Sequence, residues 1–94
     1  VRVTILNKYW KLKFTRIRHH GECQHPDKPN KQITINSQLR GERLLDCLLH
    51  ELLHASAHDL FSEQWVEDTA HDLAKILWRL EYRRESEYAD TTSA

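Results

Sequence analysis

The chain has 94 residues, 39% of them apolar, and its 14 basic and 14 acidic side chains cancel to a formal net charge of zero. That length makes one small domain with a thin core. The balanced charge gives no electrostatic case for nucleic acid or an anionic membrane, and no apolar run approaches the ~20 residues of a membrane span. Two cysteines, Cys23 and Cys47, make no disulfide framework and point to a reducing, cytoplasmic compartment. No signal-peptide pattern opens the chain, which begins at Val1 rather than Met and leaves upstream residues open.

Residues 1–6 alternate Val1, Val3 and Ile5 against Arg2 and Thr4, the period of a half-buried strand. Asn7-Lys8 is a two-residue turn candidate, since Asn tolerates positive φ. Residues 9–18 alternate again, with Trp10, Leu12 and Phe14 on one side, which predicts a β-hairpin. Residues 19–31 hold both prolines and one of the two glycines and read as a loop, with Cys23 packed inward. The His19, His20, Cys23 and His25 side chains of that loop fit no standard zinc spacing. Residues 32–36, QITIN, form a short third strand. From Ser37 to about His58 the apolar residues fall at helical spacing, as Leu45, Leu48, Leu49, Leu52 and Leu53. After a break at Asp59–Phe61, Ser62 is a good N-cap. A second helix runs from 63 to about 83, with Val66, Ala70, Leu73, Leu77 and Leu80 as its stripe. Residues 85–94 have no periodicity and are expected to be a disordered tail. The expected fold over residues 1–84 is α+β: a three-stranded mixed sheet, made of a hairpin plus a short edge strand, on two antiparallel helices.

Within the first helix stands His50-Glu51-Leu52-Leu53-His54, an HExxH arrangement. Residues i and i+4 share a helix face, so both imidazoles can reach one cation, and Zn2+ suits nitrogen ligands in a tetrahedral shell. Glu51 sits about 100° round the helix from His50, placed to hydrogen-bond a water on the metal rather than the metal itself. With seven histidines in the chain, chance gives this pattern in roughly 4 of 100 sequences of the same make-up, the false-positive risk of a short motif. Cys47 borders the same face, but three ligands from one helix make an awkward tetrahedron, and it reads as a small buried residue. His58 lies ~12 Å along the axis from His50, too far to share an ion with it on one continuous helix.

The third ligand is therefore expected from the second helix, where Glu63, Glu67 and His71 follow at four-residue spacing. Counting outward from the connection puts Glu67 level with the motif, and it is the preferred ligand. Glu63, nearer the connection, and His71 are the alternatives. Asp46, Asp68 or Asp72 are candidates to orient histidine rings.

On these residues the chain resembles the zincin metallopeptidases, most closely the minimal gluzincin type, in which a glutamate from the next helix joins HExxH. The stretch HELLHA followed by SEQWVEDTAHDLAKILWRL is similar to small phage and prophage HExxH proteins, themselves loosely similar to ImmA/IrrE-type and SprT-like peptidases. The resemblance implies a small mixed sheet on the active-site helix, one Zn2+ on His50, His54 and Glu67, and Glu51 as catalytic base. It departs from the family in three places. No SprT-style segment leads to a third His, residues 70–74 read AHDLA in place of an ANxFA-like stretch, and no substrate-binding lobe is present. The expected activity is zinc-dependent hydrolysis of a peptide bond in a peptide or protein substrate, laid extended along residues 32–36 as the natural sheet edge. His58, His71 and Tyr82 are candidates for a donor to the tetrahedral oxygen. The alternative is a non-catalytic, zinc-stabilised protein-interaction domain.

Overall fold

The first hairpin is closed by an unusual pair of residues. In the computed structural model, which describes residues 1–83, β1 (Arg2–Ile5) pairs antiparallel with β2 (Lys8–Thr15), Ile5 opposite Lys8. The two-residue turn is therefore Leu6-Asn7, one position earlier than Asn7-Lys8. Both turn residues are left-handed, at φ 49° and 64°, as a turn matched to strand twist requires. Asn7 takes the second of these positions and the exposed Leu6 accepts the first.

The sheet has four strands rather than three. A short β3 (Gly21–Cys23) forms inside the expected loop and pairs antiparallel with β4 (Gln32–Asn36), while β4 pairs parallel with β2. The order β1-β2-β4-β3 puts β4 in the interior of the sheet, so the edge next to the helices is β3 and not residues 32–36. The burial of Ile33, Thr34, Ile35 and Asn36 in succession fits a strand covered on both faces. Asn36 also explains why the first helix starts late. Its amide nitrogen donates to the carbonyls of Ile17 and His19, and its Oδ1 accepts the Gln38 N–H. The chain is thereby held in a turn, and α1 begins at Gly41 instead of Ser37.

Helix α1 (Gly41–Ser56) buries Leu44, Cys47, Glu51 and Ala55, a line at spacings of three, four and four residues, as one helix face requires. Leu44, Cys47 and Ala55 of that line close the core against Trp10, Leu12, Ile33 and Ile35 of the sheet. The leucines expected to be the buried stripe flank this line and are half-buried, Leu48 and Leu52 packing at the core's margin. Helix α2 (Glu63–Arg79) is capped by Ser62, whose hydroxyl accepts the Trp65 N–H at 3.1 Å. Its buried residues are Val66, Ala70 and Ala74; Leu73 and Leu80 of the expected stripe are exposed. Small side chains let two helices approach closely, so the alanines rather than the leucines face α1. The helix stops short of residue 83 because Glu81 turns left-handed, φ 68°. Its N–H bonds back to the Trp78 carbonyl and that of Tyr82 to Leu77, the pattern that normally favours glycine. The expected tail, residues 85–94, lies outside the described residues. Among the described residues no helix is long and apolar enough to cross a membrane.

Candidate metal and acid–base site

Three polar contacts fix how α1 and α2 are aligned. Asp46 meets His71 at 3.1 Å, and His50 and His54 both meet Glu63 at 2.9 Å. Partners thus run backward along α2 as they run forward along α1, so the helices are antiparallel. The HExxH geometry follows directly. The Nε2 atoms of His50 and His54 lie 3.2 Å apart, and each faces a different oxygen of the Glu63 carboxylate. Metal–ligand bonds of about 2.0–2.1 Å in a tetrahedral shell place donor atoms about 3.3 Å apart. One ligand atom from each of His50, His54 and Glu63 lies within 4.8 Å of the other two, a spread that one ion can draw together. His50, His54 and Glu63 have the donor chemistry and spacing to hold a Zn2+ ion.

Glu67, the preferred ligand from sequence, does not join this group; Glu63 does. The register of the helices is the reason: Asp46 stands opposite His71 and His54 opposite Glu63, so Glu63 is level with the motif and not with His58. Glu63, Val66, Ala70 and Ala74 follow one another at spacings of three and four residues, and the last three are buried. Glu63 thus continues the face that α2 turns to α1. Glu67 follows Glu63 at i+4 on the same side, about 6 Å further along the axis, and is exposed on the wall of the neighbouring cleft. His71 is likewise turned away from the imidazole pair and is engaged by Asp46, the one aspartate of the three proposed that orients a histidine here. Asp68 accepts instead from Gln64.

Glu51 stands in the buried line of α1, 8% exposed. A Cβ on Gly21 of β3 would lie 2.8 Å from the Cys47 Sγ and 3.1 Å from the Glu51 Cγ. Only a glycine lets the edge strand close this tightly over the acid. Burial pushes the Glu51 carboxyl up to about 7. The His54 ring opposes the shift, and the carboxylates of Glu63 and Glu22 add to it. The same burial, with the Glu51 charge, pushes the thiols of Cys23 and Cys47 up to about 12, so both are neutral. Cys47 is buried as expected.

Beside the acid opens a cleft of about 600 Å³. Its walls are Gly21 from the β3 side, Cys47, His50 and Glu51 from α1, and Glu67 and His71 from α2. The donor candidates separate here. His71 lines the cleft, His58 turns to His25 and Asp59, and Tyr82 lies near Gly41 and Leu44 at the far end of α1. The importance of Gly21 and Glu22 was not read from the sequence, where one glycine in a polar loop was the only sign. The pairing of His25 with His58 and Asp59 also went unread, since residues 33 apart carry no motif.

No protein-family model, no curated protein and no solved structure matches the chain. The functional reading accordingly rests on the motif and on this geometry.

Proposed function

We propose that the protein is a zinc-dependent hydrolase of peptide bonds, with His50, His54 and Glu63 holding one Zn2+ and Glu51 acting as general base. One observation carries the reading: the imidazoles of His50 and His54 and the carboxylate of Glu63 bring ligand atoms within 4.8 Å of one another, one residue from a buried acid whose pKa is pushed up to about 7. Zinc bound there supplies a Lewis acid and lowers the pKa of a water to about 7. The remaining work falls to the chain's own groups. Glu51 accepts a proton from the attacking water and returns it to the leaving amine. A dication held by the three residues would favour the ionised form of Glu51. His71, steadied by Asp46 at 3.1 Å, is the donor candidate on the cleft wall for charge developing on the substrate oxygen.

The substrate is an extended peptide lying along β3. The carbonyl of His20 and the N–H of Gln24 bond into β4, so by strand alternation the backbone of Gly21 and Cys23 turns outward. That is the edge a peptide can lengthen. The non-catalytic zinc domain calls for a fourth protein ligand, and neither Cys47 nor His58 joins the group. The arrangement supports reading the chain as a minimal zincin with glutamate as third ligand.

The test is Glu51→Gln assayed on an unstructured protein substrate with zinc loaded. Cleavage should fall by about 10²–10⁴-fold, the usual contribution of a general base, with zinc content unchanged. Cleavage at the unmutated rate would remove Glu51 from the chemistry and with it the hydrolase reading.

A further inference from the structure

A second convergence of imidazole and carboxylate lies outside the HExxH group, where the loop after β3 meets the turn between the helices. The rings of His25 and His58 pack edge to face with centroids 4.4 Å apart. The Asp59 carboxylate spans them, one oxygen 3.9 Å from His25 Nε2 and the other 3.6 Å from His58 Nε2. These distances are too long for direct hydrogen bonds. One ligand atom from each of the three residues lies within 4.8 Å of the others, near enough for one ion to draw them in.

The geometry points to a second divalent-metal site, held by His25, His58 and Asp59. It draws on no residue of the HExxH group and stands independently of the hydrolase reading. A further feature supports it. Asp59 adopts a left-handed backbone, φ 64°, which turns its carboxylate toward the two rings; Asp is among the few residues that tolerate this conformation. The His25 Nδ1 accepts the Asp27 backbone N–H at 3.1 Å, which steadies the ring with its Nε2 toward Asp59. Two imidazoles and a carboxylate select Zn2+ or Co2+ over Ca2+ and Mg2+, which prefer all-oxygen shells. An ion here ties the loop of residues 24–31 to the turn that leads into Glu63, and its role is to fix that turn.

The experiment is metal stoichiometry of the full chain, dialysed against Zn2+ and quantified by mass spectrometry, with Co2+ absorption as a second readout. The unmutated protein should hold two equivalents. His25→Ala and Asp59→Asn should each lower this to one, and Glu63→Gln should remove the other ion independently. His25 is exposed, and Asn keeps the left-handed backbone, so both variants should fold, as circular dichroism will verify. If a single ion is bound and His25→Ala removes it while Glu63→Gln does not, the second site stands and the HExxH site fails. If His25→Ala and Asp59→Asn leave the stoichiometry unchanged, the second site is overturned.

Discussion

Among the described residues the molecule carries two histidine–carboxylate clusters of three side chains, and they are built in opposite ways. His50 and His54 stand on consecutive turns of α1, and Glu63 is the first residue of α2, so two regular elements fix all three donors. His25, His58 and Asp59 come from a loop and an interhelical turn. The contacts reflect this: 2.9–3.2 Å in the first cluster, 3.6–3.9 Å in the second. Helices preset a site, whereas loops bring donors near one another and leave an ion to draw them in.

The largest expected effect separates the proposed third donor, Glu63, from its neighbour Glu67. Glu63→Gln should weaken zinc binding to the HExxH cluster by at least about tenfold, since loss of even an outer partner costs about that much. Glu67→Gln, one turn on, should leave it within about twofold of the unmutated value. Titration calorimetry on the two variants gives the answer, and the reverse order would restore Glu67 as the ligand.

The next prediction concerns Glu51 in the metal-free protein. Its carboxyl is raised from 4.5 to about 7, so between those values the folded chain binds more protons than the unfolded one. Stability is therefore fully present below the unfolded pKa and falls as pH rises from about 4.5 to 7. The loss is on the order of 3 kcal/mol for a shift of this size. Urea midpoints measured across this range should decline, and Glu51→Gln should flatten the decline. An equal slope in both proteins would mean that the acid is not buried as described.

A smaller effect is expected where the edge strand closes over the acid. Gly21→Ala puts a methyl 2.8 Å from the Cys47 Sγ and 3.1 Å from the Thr34 carbonyl oxygen. Overpacking of this kind costs about 1–3 kcal/mol. The second cluster should keep its metal affinity, and a change there would tie the two sites together. Least of all, Ser62→Ala removes the cap of α2 and should cost about 1 kcal/mol by thermal melting. Its effect on zinc should be confined to the cluster that contains Glu63.

What could be read from the sequence follows the same division between regular and irregular structure. The hairpin, the strand of residues 32–36, both helices and the Ser62 cap are local patterns, and so is the i, i+4 pairing of His50 with His54. Glu63 is less legible than the histidines, because counting from the connection sets it near His58, whereas the packed register brings it to His50 and His54. The three-residue β3 is too short to show a period, and its existence depends on β4 being available to pair. That missing strand also put the sheet edge in the wrong place. The burial of Glu51 could not be read from an apolar stripe, since an acid took a place that a leucine would ordinarily hold.

One consequence follows from the shortness of β3. Three residues paired on one side alone make the least anchored part of the sheet, and such segments open locally at small free-energy cost. Each opening lets water reach the Glu51 carboxyl and relieves the penalty on its charge. Alkaline conditions therefore favour the loosened strand, and acidic ones favour the seated strand. The outermost strand and the proton on a single acid are two readings of one equilibrium.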